Sequence, residues 1–126
     1  MLNAECSMKK DNIIQTLTFD FSLQIIELYK SLIEQKEYVL SKQVLRSATS
    51  IGANVEEAGA AQTKKDFIMK MSIASKEARE TRYWLRLLDK SQMIKKDYTV
   101  YLTNIEKIIN ILTKIVKTSQ ESLHQS

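Results

Sequence analysis

Proline is absent from this sequence, and only two of its 126 residues are glycine. A sandwich or barrel of many short strands needs a turn-former at nearly every reversal, so that class is excluded. One cysteine rules out an internal disulfide framework, and one histidine leaves too few ligands for a structural zinc site. Apolar runs are only a few residues long, so no segment is expected to span a bilayer. Residues 1–11 lack an apolar core of signal-peptide length, which predicts a cytoplasmic protein. The length suits one domain, 1–126, and not two.

The same scarcity limits catalysis. Cys6 and His124 lie near opposite ends, so a Cys-His pair would require the two termini to meet. There is no glycine-rich phosphate loop, no dinucleotide fingerprint and no His-Glu-x-x-His zinc motif. Glu56, Glu57, Glu77 and Glu80 resemble di-iron carboxylate spacing only superficially, because those bundles combine glutamate with histidine on two helices. Neither an enzyme nor a bound metal or cofactor is expected.

What the chain does have is helical periodicity. Ile14, Phe21, Ile25, Leu28 and Leu32 recur at steps of three and four or their sums, with Leu17 or Thr18 filling the gap. Asp11 or Asn12 is the expected N-cap of this first helix, which should end between Glu34 and Glu37. In the second, Val44, Ala48, Ile51, Val55 and Ala58 form a narrow apolar arc among small neighbours, with Ser41 the expected cap. Small side chains and Gly52 let another backbone come close. The third reads Phe67, Met71, Ala74, Ala78, Thr81, Leu85, Leu88, and Thr63 with Asp66 has the form of a capping box. After a polar break at residues 91–96, the fourth carries Tyr98, Tyr101 or Leu102, Ile105, Ile108, Ile109, Leu112, Ile115 and Val116. Four such segments with short links predict an all-α, antiparallel, up-and-down four-helix bundle, ordered from about residue 11 to 119. A long helical hairpin that completes its core by dimerising is the alternative.

The third helix carries more than a core stripe. Met69, Ile73, Trp84 and Leu87 form a second apolar set beside it. Either these residues cap the edge of a wide core, or they are a self-association surface. The net charge of +4 also belongs here: residues 63–90 hold eight bases and four acids, and the remainder of the chain is balanced. Lys65, Lys76, Arg79, Arg82, Arg86 and Lys90 fall on the flank away from the second stripe, with Tyr83 among them. A base row along ~40 Å of helix can track phosphates, and an aromatic ring among the bases can stack on a nucleobase. The plainer reading is a solvated helix face with local ion pairs.

The run from Leu40 to Ala58, with Lys65 to Phe67, Lys76 to Leu85, Thr18, Phe19 and Leu28 to Lys30, resembles one known family. It is similar to the four-helix-bundle proteins encoded in intervening sequences of bacterial 23S ribosomal RNA genes, also called S23 ribosomal proteins. That resemblance implies a bacterial protein, a left-handed four-helix bundle and a ring-shaped homopentamer, with no established enzymatic activity. A related accessory protein of diversity-generating retroelements binds nucleic acid and a reverse transcriptase. By that likeness Arg46, Lys65, Arg79, Arg82 and Arg86 are expected phosphate contacts. Arg46, Ser50, Asn54 and Glu57 match the family motif on one side of the second helix, where a structural role between helices is favoured over a ligand site. The expected function is therefore a non-enzymatic homo-oligomer that binds RNA or DNA through repeated basic surfaces. A protein-interaction scaffold that binds no nucleic acid is the alternative.

Overall fold

Four helices build the structure: α1 (Leu2–Glu34), α2 (Leu40–Gly59), α3 (Lys64–Ser91) and α4 (Thr99–Gln125). It is a computed structural model that describes residues 2–125, with side chains described for 13–124. Each helix packs on the next, and α4 closes back more lightly on α1. α1 and α3 stand on opposite corners, with their backbones apart across the core. This is an up-and-down four-helix bundle, as the periodicity predicts. α1 starts at Leu2 and α4 runs to Gln125, so helical backbone extends past the expected 11–119 at both ends. Asp11 and Asn12 lie inside α1 instead of starting it, and their side chains and that of Cys6 lie outside the described residues.

The core follows the expected stripes. Ile14, Phe21, Ile25 and Leu32 of α1 meet Val44, Ala48 and Ile51 of α2, Met71, Ala74, Ala78 and Leu85 of α3, and Ile105, Ile108 and Leu112 of α4. Two aromatic positions differ in depth. Tyr98 is buried, with its hydroxyl donating to the Ile94 carbonyl at 2.9 Å, whereas Tyr101 and Leu102 are half-buried. Burial, with the nearby negative charges of Asp89 and Glu37, holds the Tyr98 hydroxyl above its usual pKa. Ile94 is also buried, so the expected polar break at residues 91–96 contributes one side chain to the core.

The helix ends show how the turns are made without proline or glycine. α1 closes with Lys36 in the left-handed region (φ 66°). The Lys36 N–H bonds the Ile33 carbonyl and the Glu37 N–H bonds the Leu32 carbonyl, both at 2.9 Å. That pair of bonds is a Schellman closure, usually built on glycine. Glu37 then opens α2. Its carboxylate accepts from the N–H groups of Val39, Leu40 and Ser41 at 3.1, 2.9 and 2.6 Å. The expected cap, Ser41, instead lies in the first turn and donates its hydroxyl to the Glu37 carbonyl. At α3 the expectation holds, since Thr63 Oγ1 accepts from the Asp66 N–H at 3.1 Å. α3 ends on Gln92, also left-handed (φ 47°), whose side chain bonds the Lys96 backbone across the turn.

Gly52 is where α2 passes close to α1. A methyl group at that position would lie 3.4 Å from Ser22 Oγ and 3.5 Å from the Thr18 carbonyl oxygen. These are van der Waals contacts, and glycine in a helix interior costs up to about 1 kcal/mol relative to alanine. Gly52→Ala is therefore expected to raise the midpoint of thermal unfolding by a few degrees. Gly52→Leu would push α1 and α2 apart and lower it. Circular dichroism melts of the two variants check both directions.

Candidate nucleic-acid interface

α3 has two packed flanks and one open face, and the residues expected to bind phosphate are divided among them. On the α2 side Arg46 is set between Glu77 and Glu80, making a hydrogen-bonded ion pair with Glu80. Its other nitrogen lies 3.5 Å from Glu77 Oε2, a buried oxygen that accepts no hydrogen bond. Glu80 also accepts the indole N–H of Trp84 at 3.0 Å. At the far end of this seam Glu57 faces Lys70 at 3.7 Å. Between these pairs, Ser47 and Thr81 share a buried hydrogen bond of 2.8 Å, and Asn54 donates to Ser50 within α2. All four motif residues, Arg46, Ser50, Asn54 and Glu57, thus lie along the α2–α3 seam. Arg46 is on the opposite flank of α3 from Arg79, Arg82 and Arg86.

On the α4 side the bases are met by polar and acidic partners. Both Glu106 oxygens accept from one Arg82 nitrogen at 2.9 Å, an ion pair that links α3 to α4. Arg79 donates to Thr113 Oγ1 at 3.2 Å, and Lys64 donates to Ser122 at 2.6 Å. The two helices leave open grooves along this line. One is lined by Arg82, Arg86, Asp89, Glu106 and Lys107 among others, so its charges nearly balance. The second is lined by Ser72, Ser75, Lys76, Arg79, Thr113, Val116, Lys117 and Gln120. It holds three bases and no acid. Lys76, Arg86, Lys107 and Lys117 make no ion pair among the described residues, and hydroxyls stand beside the bases as further donors.

The open face of α3 is mixed. Lys65, Lys76, Arg79, Tyr83, Arg86 and Lys90 are exposed along it. Of the second apolar set, Met69 is 59% exposed and Leu87 is also exposed, whereas Ile73 and Trp84 are half-buried. Trp84 packs against the core, so the stripe is partly a wide core edge and partly open surface.

Two features escaped the sequence reading. Phe19 and Leu23 on the outside of α1 are 64% and 49% exposed. Their signal is a second apolar spacing, Phe19, Leu23, Ile26, Ile33, hidden among charges. The α4 contribution to the groove was the other, and the recurrence of Lys107, Lys114 and Lys117 marks it. Among the described residues no group of His, Cys, Asp or Glu is placed to hold a metal, and no helix is long and apolar enough to cross a membrane. His124 is exposed in the last turn of α4.

Residues 10–114 match the model of the 23S rRNA-intervening sequence protein family. The chain belongs to that family. The matched span includes the whole α2–α3 seam and the groove as far as Thr113, while Lys117 and Gln120 lie beyond it. A crystal structure of an S23 ribosomal protein family member from Bacteroides thetaiotaomicron, described as a protein with unknown function, is 47% identical. It superposes with a TM-score of 0.82 over 86% of this chain and 98% of that one. No curated protein matches the chain. The family match and the 47% identical crystal structure agree with the four-helix bundle seen here.

Proposed function

We propose that this protein is a non-enzymatic, self-associating bundle that binds nucleic acid along the α3–α4 groove. The observation that carries this reading is the acid-free groove lined by Lys76, Arg79 and Lys117, continued by Arg86 and Lys107. Backbone phosphates need several unpaired cations in a row, and released counterions make such binding steeply salt-dependent. Lys65 extends the row toward the start of α3. Arg46 and Arg82 are excluded from it, because each already faces a carboxylate across a helix seam. Titrating a labelled structured RNA at two salt concentrations tests the proposal. Binding that weakens sharply with salt is expected, and absent or salt-insensitive binding would sink it.

Self-association is supported by apolar strips at opposite corners of the bundle. Phe19 and Leu23 are open on α1, and Met69 and Leu87 are open on α3. Two unlike patches on one protomer favour head-to-tail contacts, which form a ring when the rotation between copies closes. A ring of five copies, each with a net charge of +4, would carry about twenty excess positive charges. Light scattering is expected to give a mass several times the protomer's 14.6 kDa. Phe19→Asp with Leu23→Asp should return it to monomers without loss of helix. Trp84→Ala is the poorer test, since it also removes packing from the core. A wild-type mass that stays monomeric at every concentration would refute the assembly.

A further inference from the structure

We infer that the basic face of α3 takes an unpaired stretch of nucleic acid, with one base stacked on Tyr83 and its flanking phosphates on Arg79 and Arg86. This rests on the nucleic-acid reading above and specifies its substrate class. Tyr83 is 54% exposed although it sits mid-helix in a bundle whose other α3 aromatics, Phe67 and Trp84, pack against the core. Its ring meets that of Trp84 in a T-shaped contact, with centroids 5.2 Å apart and planes inclined at 69°. Trp84 is in turn fixed by the core and by its bond to Glu80. The exposed ring is therefore braced from below, which reduces the entropy lost when a base stacks on it. Arg79 and Arg86 lie one turn before and one turn after Tyr83, the spacing at which helical side chains are neighbours. Lys76 and Lys90 continue the line at seven-residue steps on either side.

A paired duplex presents phosphates and groove edges, and its base faces are covered except at the ends. An exposed ring between two arginines has nothing to stack on there. An unpaired strand offers both the charge for the arginines and the π face for the ring.

The test measures fluorescence anisotropy of a labelled, unstructured RNA 12-mer, the same RNA annealed to its complement, and a DNA strand of the same sequence. The wild-type protein is expected to hold the single strands more tightly than the duplex. Tyr83→Ala should weaken single-strand binding about tenfold, for RNA and DNA alike, and leave duplex binding unchanged. Tyr83→Phe keeps the stacking ring and should keep the affinity. Equal loss on strand and duplex, or no loss with Tyr83→Ala, would overturn the stacking inference. The phosphate reading then stands or falls separately, on whether reversal of Lys76, Arg79 and Arg86 abolishes all binding. No binding to any of the three probes would overturn both.

Discussion

Reversing Lys76, Arg79 and Arg86 together to glutamate is expected to abolish nucleic-acid binding while leaving the bundle folded. Loss of three phosphate contacts flattens the dependence of log affinity on log salt by about 2–3. For the wild type, those three contacts alone account for roughly 20–40-fold weakening between 50 and 200 mM salt. Three introduced carboxylates add repulsion, so the drop in affinity at low salt should exceed about 100-fold. Folding is spared because Lys76 and Arg86 are exposed and unpaired, and Arg79 has only its bond to Thr113. Arg82 is left alone for a structural reason. Its reversal would set a carboxylate against Glu106 at the α3–α4 seam and confuse lost binding with lost stability. Glu106→Gln offers the opposite control, since it weakens the hold on Arg82 and should strengthen binding. Retained salt-dependent affinity in the triple variant would move the site away from this face.

Glu37→Ala is expected to cost about 2–3 kcal/mol of stability, or roughly 8–12 °C in the melting midpoint. The residue is buried, and its carboxylate serves three amide N–H groups at the start of α2. Removing it leaves those donors without their partner just where the chain reverses. The interaction also predicts a pH dependence. Burial alone would raise the carboxyl's pKa, but the bonds from Leu40, Ser41 and Val39 outweigh it and hold the pKa below the ordinary glutamate value of 4.5. Below that value the unfolded chain takes up a proton that the folded one resists. The contribution is therefore fully present above pH 4.5 and is lost as the pH falls through the folded value. Denaturation curves of the wild type and Glu37→Gln should differ most near neutral pH and converge in acid. A difference that stays constant from pH 7 to pH 3 would show that the carboxylate's charge is not what caps α2.

The two sets of residues differ in how far the chain itself announces them. Leu28, Ile51, Leu85 and Leu112 were legible because a helix buries a face, and a face leaves a three-and-four repeat in the sequence. Thr63 was legible because its cap acts over three residues. Glu37 was not, because Ser41 has the commoner capping chemistry and only the folded turn shows which of the two side chains meets the free amides. Tyr83 lay visibly among bases, yet its support by Trp84 is a matter of rotamers. Arg46 and Arg82 looked equivalent to Arg79 and Arg86, and their carboxylate partners lie 24 to 34 residues away.

Composition and periodicity, by themselves, determined an all-α fold of four amphipathic helices, its core, and the segment that holds the charge excess. Those properties are sums over short stretches of chain, so neighbours in sequence carry them. Only the tertiary structure decided which bases are free. Whether an arginine faces solvent or a glutamate depends on which helix flank packs on which, and that is settled by the burial of the core faces. The groove of Lys76, Arg79 and Lys117 exists because α3 and α4 meet there with hydroxyls between them and no acid.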